Sequence, residues 1–210
     1  MKNKAPYAPP SPLDTAMAHH RAGRLEQAEA AYRKLPGNAD AQHLLGLLYQ
    51  QSGRHADAFE AIGRAIDKTP ANPAYHFSLD TVCRSMGLLP QVQESYQRLL
   101  QLDPNNAEAQ LRLGHAWRDG GQLQSALGSY LSVLSLQPDN AEAYSNLAET
   151  LKRMGQLGEA EACYLKALEL RPGFAEAHVN LGALYQLLDK WEQAAEHLNV
   201  ALALQPGLAG

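Results

Sequence analysis

Leucine, small and bulky residues recur along the chain at helical spacing, and the whole set returns every 34 residues. Leu79, Leu113 and Leu147 belong to one such series. A small residue usually follows each leucine, and a bulky one comes three positions later, so these side chains share one helical face. A second helical pattern in each period begins with alanine. Its alanines are Ala58, Ala126, Ala160 and Ala194.

Proline and glycine mark the boundaries of the same period. The prolines are Pro70, Pro104, Pro138, Pro172 and Pro206, and the glycines are Gly53, Gly87, Gly121 and Gly155. A unit of about 34 residues built as helix, turn, helix cannot bury its apolar face alone, so several copies stack around a continuous core. The pattern therefore predicts an all-α repeat protein.

The first unit has a different spacing. Gly23 aligns with Gly53 at an offset of 30, so four residues are missing at the first junction. We interpret Pro36 as a local helix stop that lies outside the register of the later prolines. Gly37 and Asn38 would favour the C-terminal cap of the same helix.

These alignments predict six repeats and twelve helices of about 12 to 15 residues each. The first helix is expected to begin at Leu13, and Pro90 is expected in the first turn of a second helix, where its missing N–H costs nothing. The predicted segments are a Pro-rich leader over 1–12, a solenoid over 13–206 with repeats at about 9–38, 39–72, 73–106, 107–140, 141–174 and 175–206, and a tail over 207–210.

The third repeat departs most from the pattern, with Asp80, Cys83 and Val92 at positions that are otherwise small, aromatic or alanine. A buried Asp80 would need a hydrogen-bond partner to offset its desolvation, unless it turns toward a groove. Cys83 and Cys163 are interpreted as small buried apolar residues, and no disulfide framework is predicted.

Composition narrows the classes of function. The chain has 18 basic and 22 acidic residues and lacks a lysine- or arginine-rich run, so nucleic acid is not an expected partner. There is no signal peptide and no apolar run of membrane-spanning length, which favours a cytoplasmic protein without membrane insertion. No catalytic, cofactor or metal motif is found, and we expect no enzyme, no cofactor and no metal. The scattered histidines, including His76 and His178, are expected to pack between helices or lie on the surface.

The residues from Asn140 to Ala148, followed by Ala160, Tyr164 and Pro172, resemble the tetratricopeptide repeat, and the resemblance extends over about residues 9–206. It implies a right-handed superhelical α-solenoid of stacked antiparallel helix pairs. It also implies that the first helices line a concave groove, which typically receives an extended peptide or a partner helix. We therefore expect a non-catalytic protein–protein interaction scaffold, with repeats that look most like those of bacterial members of the family.

The resemblance implies groove positions repeat by repeat. The first repeat contributes Met17, His20 and Arg21, and the others contribute His43, Leu47, Gln50, Gln51, Phe77, Thr81, Arg112, His115, Arg118, Asp119, Ser145, Asn146, Glu149, Lys152, Arg153, Val179, Asn180, Ala183 and Gln186. The cations among them could bind an acidic peptide. They could equally form ordinary ion pairs with neighbours such as Glu108 and Glu142.

Asn146 and Asn180 occupy the same position in consecutive repeats. They resemble a fragment of the asparagine ladder in O-linked N-acetylglucosamine transferases, and the stretch 41–56 resembles bacterial repeat regions joined to glycosyltransferase or sulfotransferase domains. The alternative function is therefore a substrate-presenting region of a larger bacterial transferase.

The last predicted helix carries an apolar face. Leu198, Leu202 and Leu204 lie on it, at positions that would ordinarily pack on a following repeat. We expect either that the sequence is one region of a longer protein or that it forms a homo-oligomer through the C-terminal repeat.

Overall fold

The computed structural model describes residues 10–206, which form twelve α-helices and no strand. The helices are α1 (Pro12–Arg21), α2 (Leu25–Arg33), α3 (Ala39–Gln51), α4 (His55–Lys68), α5 (Pro73–Ser85), α6 (Leu89–Leu102), α7 (Ala107–Asp119), α8 (Leu123–Leu136), α9 (Ala141–Arg153), α10 (Leu157–Leu170), α11 (Ala175–Leu187) and α12 (Trp191–Leu204). Each odd-numbered helix, called a first helix below, packs on the even-numbered second helix that follows it. The six pairs confirm the all-α fold and the six repeats.

The helix pairs are distributed between two compact units. The first unit ends at Asp103 and contains α1 to α6, and the second begins at Pro104 and contains α7 to α12. Within each unit, consecutive pairs pack together, for example α4 on α5 and α10 on α11. Each unit therefore contains three stacked repeats.

Asparagine caps the N-terminus of four first helices. The side-chain oxygen of Asn106 accepts a hydrogen bond of 2.9 Å from the backbone N–H of Ala109, which satisfies a donor that has no partner within the helix. The other capping asparagines are Asn38, Asn72 and Asn140. Asn38 thus caps α3 and not α2, contrary to the prediction.

Pro36 was also misplaced by the sequence alignment. It lies two residues before the capping Asn38, as Pro70 lies two residues before Asn72, so it keeps the register of the helix that follows. The missing residues come from the end of α2, which has 9 residues where α4 has 14. The shortening is therefore confined to the second helix of the first repeat.

The predicted helix ends need small corrections. α1 begins at Pro12, one residue earlier than expected, because Ser11 and Asp14 form a reciprocal capping box. α1 and α2 have 10 and 9 residues, below the predicted lengths. Pro90 lies in the first turn of α6, as predicted. The first nine residues of the leader and the tail over 207–210 lie outside the described residues.

The turn inside each of the first five repeats depends on a glycine in the left-handed region. Gly121, for example, has a φ of +77°. Glycine adopts this conformation without strain, whereas it is energetically unfavourable for other residues. The other four are Gly23, Gly53, Gly87 and Gly155. In the sixth repeat Asp189 adopts a φ of 57° instead. The glycines recur at this interval because the turn requires a residue with positive φ.

In the second, fourth and sixth repeats, a glycine of the first helix packs against a large residue of the second helix. At Gly114 an added Cβ would lie 2.6 Å from the ring of the fully buried Tyr130. Fully buried tyrosines also occupy this region of other repeats, at Tyr32, Tyr96 and Tyr164. This close approach holds the two helices of a pair together.

The two helices of the irregular third repeat pack less extensively on each other than those of the other repeats, although its unusual residues are buried. Cys83 and Val92 are fully buried, while Cys163 of the fifth repeat is only half-buried, so the prediction of two buried cysteines holds fully for Cys83 alone. Asp80 is buried between helices. Its carboxylate accepts hydrogen bonds from Arg84 Nε at 2.6 Å and from the Tyr96 hydroxyl at 2.8 Å. These partners offset its desolvation, and Asp80 does not turn outward.

Candidate functional site

In the first unit, side chains of consecutive first helices contact one another. His20 of α1 lies 3.1 Å from the side-chain oxygen of Gln51 on α3, and His43 of α3 lies 2.8 Å from the hydroxyl of Ser78 on α5. These contacts join residues 31 and 35 positions apart. Three predicted groove positions, His20, His43 and Gln51, therefore lie where consecutive first helices of this unit meet.

Two predicted groove positions of the first unit carry large apolar side chains. Leu47 and Phe77 are half-buried, and the Phe77 ring lies 6.1 Å from that of Tyr96. His43 packs on the Tyr75 ring at 4.8 Å, and burial lowers its pKa. A neutral imidazole beside exposed aliphatic and aromatic surface is suited to apolar side chains of a ligand.

His43 and Ser78 do not form an activated nucleophile. The Ser78 hydroxyl donates to the backbone carbonyl of Ala74 at 3.0 Å. Its proton is thus engaged, and the contact with His43 requires that imidazole Nε2–H donates to the hydroxyl oxygen. To activate Ser78, His43 would instead have to accept the proton of the serine hydroxyl as a general base.

In the second unit, α7 and α9 are joined by direct contacts between predicted groove residues. The Arg118 guanidinium donates to the side-chain oxygen of Asn146 at 2.8 Å, and the Arg153 guanidinium donates to the backbone carbonyl of Arg118 at 3.1 Å. The Asn146 amide also donates to the Glu142 carbonyl at 3.0 Å. Both ends of the Asn146 side chain are therefore engaged, which weakens its expected role in a ladder.

Most cations of this region have a carboxylate neighbour on their own helix. Arg112 pairs with Glu108, and Lys152 lies 2.6 Å from Glu149. Glu149 also accepts a hydrogen bond of 2.9 Å from Tyr164, and burial next to that carboxylate raises the pKa of the tyrosine. These pairs match the interpretation in which the charges are balanced locally.

The remaining predicted positions differ in accessibility. Ser145 is buried and presents almost no surface to a ligand. His115 is half-buried with its ring 5.8 Å from that of Tyr130. Gln50, Val179 and Asn180 are half-buried, and the exposed positions are Thr81, Asp119, Arg153, Ala183 and Gln186.

Two buried histidines use both ring nitrogens. His76 lies 2.8 Å from the Pro70 carbonyl through Nε2 and 2.7 Å from the Ser95 hydroxyl through Nδ1. His178 makes the same contact with the Pro172 carbonyl and lies 2.9 Å from His197 Nδ1. The carbonyl contact places the proton of the neutral ring on Nε2. These residues therefore have structural partners, as the packing interpretation predicted.

The described residues were also searched for membrane-spanning helices and for metal sites. Within residues 10–206, every helix is too short or too polar to span a membrane. In the same range, no group of three or more histidine, cysteine or acidic side chains is placed to hold a metal ion.

Four family models match the chain: three are described as tetratricopeptide repeat, over residues 13–34, 39–72 and 139–206, and one as TPR repeat, over 114–155. Together they cover more than half of the sequence. The chain belongs to the tetratricopeptide repeat (TPR) family. No curated protein sequence gives a significant match. TPR arrays are typically interaction scaffolds without catalytic activity of their own.

Several solved TPR structures resemble this TPR chain. A MamA crystal structure is 25% identical, with a TM-score of 0.68, and the match covers 79% of this chain and 96% of that one. MamA from Desulfovibrio magneticus RS-1 is 21% identical, with a TM-score of 0.70 and coverage of 82% and 97%. YrrB, described as a TPR protein with an unusual peptide-binding site, is 23% identical, with a TM-score of 0.66 and coverage of 79% and 88%. Below 25% identity these likenesses show the fold alone.

Proposed function

We propose that this TPR chain is a non-catalytic scaffold that binds a peptide or a partner protein along its first helices. The observation that supports this proposal is the contact between consecutive first helices, such as His43 with Ser78 and Arg118 with Asn146. Such contacts make a continuous, half-exposed surface in each unit. The peptide-binding site named for YrrB supports the same class of ligand.

The two units would prefer different ligand chemistry. The first offers the half-buried Leu47 and Phe77, which favour a segment with large apolar residues. The second offers Arg153, which is exposed and has no carboxylate within 4 Å among the described residues. A partner segment that binds the second unit would therefore be acidic.

Selection of peptides on the immobilised protein, followed by calorimetry, tests this proposal. Arg153→Glu should weaken an acidic peptide by about tenfold or more, because a nearby charge pair becomes a repulsion. Lys166→Glu is the matched control, since Lys166 lies on a second helix and pairs with Glu169. Equal affinity of both variants for the peptide would contradict binding along the first helices.

We also propose that α12 mediates self-association. Leu202 is 38% exposed, whereas its counterpart Leu168, which α11 covers, is 8% exposed. Trp191, at the start of the same helix, is 61% exposed. Light scattering at tens of micromolar should show a dimer or larger species that Leu202→Glu disrupts. A strict monomer before and after the substitution would refute this assembly.

A further inference from the structure

A polar pocket of about 260 Å³ opens in the first unit between α2, α3 and α4. Its floor is formed by residues of α3, and the end of α2 and the stretch 57–64 of α4 form its sides. The lining residues are Arg33, Pro36, Gln42, Leu45, Tyr49, Asp57, Glu60 and Arg64. None of them belongs to the predicted groove, so this is a separate surface on the side of the second helices.

The corresponding place at the next junction holds a smaller pocket of about 160 Å³, lined by residues of α4, α5 and α6. At the next junction the last turn of α4 reaches across, and Asp67 on that turn pairs with Arg98 of α6 at 3.0 Å. The residue of α4 that corresponds to Arg98 is Arg64, 34 positions earlier. α2 ends at Arg33, so no helical turn is present to supply Arg64 with the carboxylate that Arg98 has.

Arg64 is consequently the most weakly paired cation of the pocket. Its nearest carboxylate, on Glu60, lies 3.7 Å away, and that side chain is 72% exposed. By contrast, Asp57 is held by Arg54 at 2.7 Å, and Arg33 is held by Glu29 at 2.9 Å. An exposed ion pair at 3.7 Å contributes little to stability. Arg64 can therefore exchange Glu60 for a better-placed anion.

The floor of the pocket adds a buried amide. Gln42 is 2% exposed, and its Oε1 accepts a hydrogen bond of 2.8 Å from Arg64 Nε. Its Nε2 makes one long contact of 3.4 Å with the Leu35 carbonyl, although an amide nitrogen carries two hydrogens. Gln42 and Arg64 together therefore present donors, and a ligand should bring acceptors.

We propose that this pocket binds a small oxyanion, a carboxylate or a phosphate group, through the Arg64 guanidinium and the Gln42 amide. A guanidinium is planar and donates two parallel hydrogen bonds, which suits both groups. Arg33 on the α2 side adds positive charge, while the lining carboxylates are engaged by arginines, Asp57 by Arg54 and Glu60 weakly by Arg64. The proposal rests on the weak ion pair of Arg64 and the buried amide of Gln42, and it is independent of ligand binding along the first helices.

An NMR titration of the isotopically labelled protein tests the site. Inorganic phosphate and succinate are added in separate series, with sodium chloride at matched ionic strength as the reference. We expect saturable shifts of the Arg64 Nε–Hε and Gln42 side-chain signals, with a dissociation constant on the order of 1 mM. Saturation by phosphate alone or by succinate alone supports the site and tells a phosphate ligand from a carboxylate one.

Two arginine variants separate the site from general charge effects. Arg64→Gln should weaken binding by about tenfold or more, because a charged hydrogen-bond donor is lost. Arg98→Gln removes the same charge from the corresponding position of the next repeat and should change the affinity by less than about twofold. The proposal is overturned if neither anion produces saturable shifts in the unaltered protein, or if both variants lose affinity equally.

Discussion

Replacing Gly114 by alanine tests whether a missing side chain sets the spacing of the fourth helix pair. An added Cβ would lie 2.6, 2.9 and 3.0 Å from three ring carbons of Tyr130. The ring is fully buried, so it can make room only by moving neighbouring core residues. Gly128 on α8 is the matched control, because a Cβ there meets nothing within 4 Å.

The difference between the two variants isolates the packing contribution. Both substitutions gain about 0.5–1 kcal/mol of helix propensity, which cancels in the comparison. Overpacking a core costs about 1–3 kcal/mol. The fifth repeat has Ala148 and Tyr164 at the matching positions, both fully buried, which shows that a repeat can accept this pair after adjustment. We therefore expect Gly114→Ala to be less stable than Gly128→Ala by about 1–2 kcal/mol.

Urea unfolding at constant pH, followed by circular dichroism, measures this difference in the free energy of unfolding. The free energy of unfolding should fall with urea concentration at the same slope in both variants and in the unaltered protein. Repeat arrays can unfold in parts, and a changed slope would mean that the midpoints no longer compare the same transition. A Gly114→Ala protein as stable as Gly128→Ala would show that Tyr130 moves freely, and the argument from helix spacing would fail.

Three further predictions concern buried polar groups and thiols. Asp80→Ala should lower the free energy of unfolding by about 2–4 kcal/mol in urea titrations, because the buried Tyr96 hydroxyl loses its acceptor. Burial lowers the pKa of His76 below its ordinary 6.5, so the unfolded chain binds more protons; stability should fall as the pH drops below about 6.5, and His76→Asn should flatten that dependence. Iodoacetamide at about pH 8 should alkylate half-buried Cys163 before Cys83, since burial raises the pKa of Cys83 to about 11, and peptide mass mapping reads the order.

The sequence pattern was sufficient to predict the helices, because its glycines and small residues stand where the backbone itself requires them. Gly121 occupies a left-handed turn, and Gly114 packs against Tyr130 in a small–large pair that the pattern repeats at a fixed offset. Most helices therefore appear where the period predicts them. The exception was the first junction, where Pro36 was aligned with the helix before it and the structure assigns it to the helix after it.

Side-chain partners were less predictable, because they depend on rotamers and on residues far away in the sequence. The pattern indicated that Asp80 needs a partner but could not identify Tyr96, 16 residues later. It could not show that the Asn146 oxygen, which the resemblance to a ladder would leave for a ligand, is occupied by Arg118, 28 residues earlier. The predicted groove residues and their role in binding stay predictions, and so does the alternative of a substrate-presenting transferase region.

At the junction between the first and second repeats, the surface formed by the second helices differs from that of other junctions, while the contacts between first helices are kept. The pocket beside Arg64 lies on the side of the second helices, next to the shortened end of α2. On the side of the first helices, His20 still reaches Gln51 on α3 across the shortened repeat, just as His43 reaches Ser78 on α5 across a full one. A deletion at the end of a second helix therefore leaves the contacts between first helices in place. In this unit the two surfaces can acquire separate ligands without a change of core.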